Sequence, residues 1–185
     1  MSQVSSVGRL LIRVMERQDL DFARRLHNDD STLLQLSHVE HVSEVQQEAW
    51  FQTISTSKNS KRYTILDSGS GDFIGIFRVD NLDFVNSSVC VGLDIAPDKR
   101  GKGYAKEIYR YFLDYYFLHC GMHRIYLAVL ATNDVARSLY IALGFQEEGI
   151  HREAIYRGGE YIDLIWMSIL RGEFHACRNN ATESS

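Results

Sequence analysis

The strongest constraint on the fold of this chain is a short segment in which an apolar, strand-like run is followed by a basic turn and then by a helical pattern. The run over residues 89–95 ends just before Pro97, the single proline of the sequence, and the turn at residues 100–103 reads Arg-Gly-Lys-Gly. In that order, free backbone N–H groups and the positive end of a helix dipole converge on one place. The sequence therefore predicts an anion-binding turn, where glycine lets the backbone approach the anion without a Cβ.

Known glycine patterns narrow the identity of this anion. The dinucleotide fingerprint G-x-G-x-x-G would need a third glycine that this segment lacks, and the nucleoside-triphosphate loop G-x-x-x-x-G-K-S/T is also absent. The pattern that is present is Arg100-x-x-Gly103-x-Ala105. From this hexapeptide alone, an ordinary strand-to-helix turn with surface cations remains an alternative.

A second segment, residues 133–145, has the pattern of a capped helix. Asn133 is a good N-cap, Asp134 opposes the dipole in the first turn, and Gly144 is placed to end the helix in the left-handed conformation. Residues at i, i+4 and i+7 fall on one helix face. That face carries Ala136, Tyr140 and Leu143.

Both segments resemble signatures of the GNAT family, the acetyl-CoA-dependent N-acetyltransferases. Arg100-x-x-Gly103-x-Ala105 is similar to the family's pyrophosphate-binding signature, and Asn-x-x-Ala-x-x-x-Tyr-x-x-x-Gly-Phe over residues 133–145 is similar to its second signature. The resemblance extends over residues 10–170. Within the family it is closest to the ribosomal-protein N-terminal acetyltransferases, the spermidine N-acetyltransferases and the acetyltransferases of nucleotide-linked amino sugars.

Composition predicts one globular domain and excludes several partners. The 185 residues are 45% hydrophobic and 24% charged, with a net charge of -4 and no long basic run, so a broad nucleic-acid-binding face is not expected. No apolar run has membrane-spanning length and no signal peptide is visible, which favours a cytoplasmic protein without a membrane partner. Cys90, Cys120 and Cys177 lack metal or disulfide spacing, so we expect no metal.

Hydrophobic periodicity predicts an α/β chain with a mixed sheet. Predicted strands cover 9–14, 63–66, 73–82, 88–96, 124–130, 145–156 and 161–170, and predicted helices cover 18–28, 43–57, 103–118 and the segment after Asn133. An antiparallel meander joined to a β-α-β crossover gives a mostly antiparallel sheet with helices on both faces, and the GNAT fold has this order. Residues 1–171 would form one domain, and residues 172–185 a disordered tail.

The resemblance implies acetyl-CoA as cosubstrate and carries its binding residues over to this sequence. Residues that would hold the pyrophosphate are Arg100, Gly101, Lys102, Gly103, Tyr104 and Ala105. In the family, the preceding strand separates from its neighbour and its backbone bonds to the pantetheine arm, with one N–H donating to the thioester oxygen. The matching residues here are Leu93, Asp94 and Ile95. Asn133 would contact the cofactor arm, and Arg137 would reach its phosphates or remain a solvated side chain.

By the same resemblance, Tyr140 is the general acid that protonates the leaving thiolate. A phenol has an unperturbed pKa of about 10 and is protonated at neutral pH. A core aromatic role is the alternative. The general base stays open, because the position that often holds a glutamate in the family corresponds here to Cys90, whose neutral thiol cannot act as a carboxylate. A water chain is one option, and the candidate side chains are His38, Glu40, His41 and Asp94.

These observations predict an N-acetyltransferase that moves the acetyl group directly to a primary amine. The acceptor could be a protein N-terminus, a polyamine or a nucleotide-linked amino sugar. An acidic segment would suit a polycation or could be a solvated surface, and it contains Asp29, Asp30, Glu40, Glu44 and Glu48. A non-catalytic acetyl-CoA sensor or structural module of the same fold is the alternative function. A homodimer is compatible with the resemblance.

Overall fold

The computed structural model describes residues 4–182, and within them eight strands form a mixed sheet in the order β1-β2-β3-β4-β5-β6-β8-β7. The strands are β1 Val4–Val7, β2 Leu10–Val14, β3 Lys61–Asp67, β4 Phe73–Asp83, β5 Ser88–Ile95, β6 Arg124–Leu130, β7 Gln146–Arg157 and β8 Glu160–Leu170. The α-helices are α1 Leu20–Asn28, α2 Asp30–Leu33, α3 Glu44–Thr56, α4 Tyr104–Asp114, α5 Asp134–Ala142 and α6 Arg171–Thr182.

The sheet combines antiparallel pairs with a parallel pair. Strand β5 pairs with β6 in parallel over Ser88–Cys90, opposite Arg124–Tyr126. The pairs β1–β2, β2–β3, β3–β4, β6–β8 and β7–β8 are antiparallel. Because α4 lies between β5 and β6 along the chain, the predicted β-α-β crossover and mostly antiparallel sheet are confirmed.

The described chain divides into two compact units. The first contains residues 4–82 and 91–111, which include β1 to β4, α1 to α3, the end of β5 and most of α4. The second contains residues 83–90 and 112–182, which include the start of β5, β6 to β8, α5 and α6. A single domain over residues 1–171 stays a prediction.

In the first unit, α1 and α3 pack on an apolar cluster. Phe22, Trp50 and Phe51 pack against its buried members, which are Met15, Leu20, Ala23, Leu26 and Ile76. Ser43 begins α3 as predicted, since its Oγ accepts from the Gln46 N–H at 3.3 Å and its own N–H donates to Gln46 Oε1 at 2.9 Å. This reciprocal capping fixes the start of the helix that carries Trp50.

The second unit is built on β6 and the β7–β8 hairpin. Strand β6 matches the predicted strand over residues 124–130, whose sequence alternates Ile125, Leu127 and Val129 with other residues, and these three side chains are 1%, 1% and 6% exposed. The hairpin turns at Gly158 and Gly159, whose φ angles are +59° and +93°. Both glycines adopt the left-handed conformation that a two-residue hairpin turn requires, and they lie in the gap between the predicted strands over residues 145–156 and 161–170.

The chain end differs from the prediction. Residues 172–185 were expected to be a disordered tail, but α6 covers Arg171–Thr182, and residues 183–185 lie outside the described residues. Phe174 is buried and stacks on Phe117 with ring centroids 4.8 Å apart. Arg171 also donates to the carbonyls of Phe117 at 3.1 Å and Met122 at 3.0 Å. One aromatic anchor therefore orders a segment whose composition is mostly polar.

Two further elements depart from the predicted boundaries. Strand β1 precedes the predicted first strand and joins β2 through Gly8, whose φ is +56°. The helix predicted over residues 103–118 ends at Asp114, and Tyr115–His119 forms a wider π-helical turn in which the Cys120 N–H donates to Tyr115 O at 3.1 Å. None of the helices in residues 4–182 has both the length and the apolar character needed to cross a membrane.

Candidate active site

The predicted anion-binding turn is present, and we call residues 100–105 the cradle. Gly101 and Gly103 have φ angles of +71° and +83°, and α4 starts directly afterwards. The Arg100 N–H donates to Pro97 O at 3.3 Å, and the next such bond joins the Glu107 N–H to Gly103 O at 3.5 Å. Within the described residues, the N–H groups of 101–106 thus donate to no backbone carbonyl. A row of such donors at a helix N-terminus fits a diphosphate.

Arg9 contacts both the main chain of the cradle and the first turn of α4. Its Nη2 donates to Lys102 O at 2.6 Å and to Glu107 Oε1 at 2.7 Å, and its guanidinium lies 4.0 Å from the ring centroid of Tyr104. The Tyr104 hydroxyl donates to Asp67 Oδ2 at 2.9 Å, which raises the pKa of Tyr104. The side chain of Tyr104 therefore fixes the residue to Asp67, and the group that Tyr104 contributes to the cradle is its backbone N–H.

The side chain of Arg100 is directed to the protein. Its Nε donates to Ile95 O at 2.9 Å, its Nη1 to Ser31 Oγ at 2.7 Å and its Nη2 to Thr32 Oγ1 at 2.6 Å. Arg100 thus connects the cradle to the end of β5 and to α2. The side chain of Lys102 is exposed at the rim and carries the charge that the sequence predicted there.

The end of β5 has backbone groups available beyond its parallel neighbour. Pairing with β6 covers Ser88–Cys90, whereas β5 continues to Ile95. Its other side lies close to β4, because a Cβ on Gly75 would be 2.2 Å from Asp94 O. Residues 93–95 lie beyond this pairing and are half-buried, and the Ile95 carbonyl already accepts from Arg100 Nε. Main-chain bonds from this strand end to an extended ligand stay a prediction.

A cavity of about 260 Å³ lies in the first unit, between α1, α3 and the strands β3 to β5. Its wall includes His38, Gln47, Trp50, Arg62, Arg78 and Asp94. Of the four predicted base candidates, Asp94 and His38 are lining residues, whereas Glu40 and His41 are not. The acidic residues predicted to favour a polycation are also not lining residues. Neither arginine was predicted from the sequence. Arg78 could have been noticed as a charged residue inside the apolar strand β4, whereas Arg62 on β3 follows Lys61 and gives no such signal.

Helix α5 carries the second signature in the second unit. Asn133 caps it as predicted, with Oδ1 accepting from the Ala136 N–H at 3.1 Å, and Gly144 follows it with a φ of +95°. Tyr140 is 9% exposed, and its ring centroid lies 5.8 Å from that of Phe145. The Arg137 guanidinium forms a hydrogen-bonded ion pair with the Glu147 carboxylate, and the hydrogen bond raises the pKa of Arg137. The roles of these side chains toward acetyl-CoA stay predictions.

Two of the three cysteines in the second unit, Cys90 and Cys120, do not resemble nucleophiles. Cys90 is half-buried on β5, opposite Tyr126 on β6. Burial raises the pKa of the Cys120 thiol, which keeps it in the protonated form that does not attack. A covalent acyl-cysteine is therefore not suggested by either residue.

Most of this sequence matches known acetyltransferases. The family model for the acetyltransferase (GNAT) domain matches residues 12–166. The spermidine N(1)-acetyltransferase of Vibrio cholerae is 29% identical over 167 residues, covering 90% of this chain and 96% of that protein. The putative ribosomal N-acetyltransferase YdaF of Bacillus subtilis is 31% identical over 104 residues, covering 56% of this chain and 57% of that protein.

Solved structures are similar over the same range. The crystal structure of spermidine N-acetyltransferase from Vibrio cholerae in complex with CoA and spermine has a TM-score of 0.86 at 29% identity, covering 90% of this chain and 98% of that chain. A dodecameric structure of the same enzyme in an intermediate state has a TM-score of 0.79 at 29% identity, covering 90% of this chain and 96% of that chain.

Proposed function

This chain belongs to the GNAT acetyltransferase family, and on that premise we propose that it transfers an acetyl group from acetyl-CoA directly to a primary amine, without an acyl-enzyme. Acetyl-CoA is the cosubstrate, and its thioester supplies the activated acetyl group. The observation that carries the proposal is the cradle, where two left-handed glycines and the start of α4 leave the N–H groups of residues 101–106 without backbone acceptors among residues 4–182. Such donors bind a diphosphate without any need for a metal ligand.

We propose separate tasks for the other residues. The main chain of Leu93, Asp94 and Ile95 bonds to the pantetheine arm, and an N–H of this strand end donates to the acyl oxygen. Asn133 contributes a further contact to the same arm. The Tyr140 hydroxyl donates its proton to the leaving sulfur, as a phenol protonated at neutral pH can do.

The amine must lose its proton before it attacks. Asp94 and His38 are the predicted base candidates that line the cavity, and Asp94 lies 3.0 Å from the Arg78 guanidinium. We propose that the proton leaves through cavity water that ends at one of these two side chains. Because part of any free amine population is unprotonated at neutral pH, a water chain is chemically sufficient.

Replacing Gly103 with valine is expected to weaken acetyl-CoA binding at least about tenfold. A β-branched residue is strained at a φ of +83°, so the turn must shift and move the N–H donors of the cradle. Isothermal calorimetry with acetyl-CoA measures the change. Gly158→Val is the matched control, because Gly158 also has a left-handed φ, of +59°, but lies in the β7–β8 turn.

Equal affinities of the wild type and Gly103→Val, with both proteins folded, would contradict the assignment of the cradle. Free-thiol release with a panel of primary amines then separates an enzyme from a sensor. An enzyme releases thiol with at least one amine, whereas a sensor binds acetyl-CoA with the same Gly103 dependence and releases none.

Two structures of one relative suggest the substrates and the assembly of the chain. The Vibrio cholerae spermidine N-acetyltransferase has been solved with CoA and spermine and as a dodecamer. We therefore propose a homo-oligomer, such as a homodimer, for this chain as well. A polyamine acceptor has the same support from this relative, but the residues of the cavity wall favour a different acceptor.

A further inference from the structure

Arg62 lies at the cavity wall, and one edge of its largely buried guanidinium group donates no hydrogen bond within the described residues. Its side chain is 11% exposed, and burial lowers the pKa of its guanidinium. Its Nη1 donates to Lys61 O at 2.9 Å and to Val79 O at 3.0 Å, and lies 2.9 Å from Asp80 Oδ1. Over residues 4–182, the two hydrogen bonds of this side chain are both donated by Nη1. The edge formed by Nε and Nη2 thus remains for a ligand, and such an edge binds carboxylate or phosphate oxygens in pairs.

Arg78 places a second guanidinium on the same wall. Its Nε lies 3.0 Å from Asp94 Oδ2. A Cβ on Gly92 would lie 2.7 Å from Arg78 Nη2, so the guanidinium rests against the main chain of β5 where a glycine makes room for it. The chain therefore accommodates this cation beside the cavity by using the smallest residue at the contact.

Among the residues that the structure describes, the wall offers a polyamine no uncompensated carboxylate. Its acidic and basic lining residues other than histidine are Arg62, Arg78 and Asp94, and Asp94 lies 3.0 Å from Arg78 while Asp80 lies 2.9 Å from Arg62. A polyamine brings several positive charges and no negative one, and like charges repel strongly where water is partly excluded. An amine that also carries an anion meets both needs, since its anion faces the arginines and its ammonium faces the carboxylate.

The cavity also limits the size of the acceptor. A volume of about 260 Å³ is slightly below the usual range of about 300–1,000 Å³ for ligand pockets, which suits an acceptor as small as an amino acid or a phosphorylated monosaccharide. Gln47 lines it with 7% exposure, and its side-chain amide has no hydrogen-bond partner within the described part of the chain. Trp50 adds an aromatic wall, with its ring centroid 5.8 Å from the Arg62 guanidinium carbon.

We infer that the acceptor is a small primary amine that carries an anionic carboxylate or phosphate group, and that Arg62, assisted by Arg78, binds this anion. The inference rests on the proposed acetyltransferase function and names its substrate class. Arg62 is thus a specificity-determining residue, since it contacts the part of the acceptor that does not react.

The test compares amines that differ only in an anionic group, with acetyl-CoA as donor and free-thiol release as readout. L-Phenylalanine is paired with phenethylamine, glucosamine 6-phosphate is paired with glucosamine, and spermidine is the polycationic comparison. We expect the anionic member of one pair to exceed its partner and spermidine in kcat/KM by at least about tenfold, the range for charged hydrogen bonds. Which pair responds distinguishes a carboxylate from a phosphate.

Two variants link this preference to Arg62. Arg62→Lys keeps the positive charge but loses the pair of N–H donors that can bind both oxygens of an anion, and Arg62→Gln loses the charge and the pair. Each substitution should lower kcat/KM for the anionic amine by about 10- to 100-fold. The kcat/KM for the matched amine without the anionic group should remain nearly unchanged. Arg17→Gln is the matched control, because Arg17 pairs with Glu48 on the surface, is 65% exposed and does not line the cavity. If thermal denaturation shows that Arg62→Gln does not fold, Arg78→Gln replaces it, because the Arg78 side chain is 37% exposed. The same loss of kcat/KM for the anionic amine is expected.

The possible results separate this inference from the proposed function. Preference for spermidine or for the uncharged partners, or an anionic preference that survives in the arginine variants, overturns the inference while an active acetyltransferase remains. Absence of thiol release with every amine would instead overturn the proposed function. In that case, calorimetry with L-phenylalanine and glucosamine 6-phosphate in the presence of CoA tests whether the cavity binds an anionic amine. Heat of binding that disappears in Arg62→Gln supports the inference. No heat of binding with either probe overturns it.

Discussion

Replacing Tyr140 with phenylalanine is expected to lower kcat by about 100- to 10,000-fold, the range over which a positioned general acid accelerates a reaction. The change removes one hydroxyl and keeps the ring, which is 9% exposed and packs 5.8 Å from Phe145. The fold and the affinity for acetyl-CoA should therefore change little. Steady-state kinetics with the best amine of the panel, together with calorimetry for acetyl-CoA, measures the two effects separately.

The control for this substitution is Tyr111→Phe, which removes the same hydroxyl from a half-buried tyrosine on α4. It should keep the wild-type kcat. A Tyr140→Phe enzyme as fast as this control would show that the leaving thiolate obtains its proton elsewhere. A loss of acetyl-CoA affinity equal to the loss of rate would assign Tyr140 to binding rather than to proton donation.

Replacing Asp19 with alanine is expected to destabilise the protein by about 3–5 kcal/mol, the range for breaking one partner out of a buried ion pair. Asp19 is 0% exposed, and its two oxygens accept from Arg13 Nη1 and Nη2, both at 2.6 Å. The same carboxylate accepts from the Glu16 N–H at 2.9 Å and from Thr64 Oγ1 at 2.8 Å. Alanine would leave the Arg13 guanidinium, whose side chain is 11% exposed, without this partner.

Urea denaturation of purified proteins measures this loss of stability. Asp21→Ala is the control, because that carboxylate is 61% exposed and its pairs with Arg24 and Arg25 lie on the surface, where ion pairs contribute about 1 kcal/mol or less. The double variant Arg13→Met/Asp19→Ala should be more stable than the sum of the single effects predicts, since it removes the stranded charge. An Asp19→Ala protein within about 1 kcal/mol of the wild type would contradict the burial of this pair.

The features that could be predicted from sequence are those whose cause lies within a few residues. Asn133 caps α5 through an N–H three positions away, and Gly101 and Gly103 take left-handed angles in the turn that they themselves form. Alternation along β6 similarly predicted which side chains point into the core. Short-range rules of capping, turn conformation and strand period are sufficient for such elements.

The features that were missed depend on partners distant in sequence. Arg9 contacts Glu107 across 98 positions, and nothing near Arg9 in the chain indicates that it supports a ligand-binding turn. The contact of Arg62 with Val79 O spans 17 positions between neighbouring strands. Helix α6 is ordered by the stacking of Phe174 on Phe117, which outweighs a composition typical of disorder. Local propensity cannot report such tertiary contacts.

The position of Arg100 has a consequence for substrate binding. Its main chain belongs to the cradle, while its guanidinium donates to Ser31 and Thr32, and Thr32 is part of the cavity wall. We expect acetyl-CoA bound at the cradle to restrain Arg100 and, through it, Thr32 at the cavity wall. By thermodynamic reciprocity, each ligand would then change the affinity for the other by an equal factor, which calorimetry of one ligand with and without the other would measure.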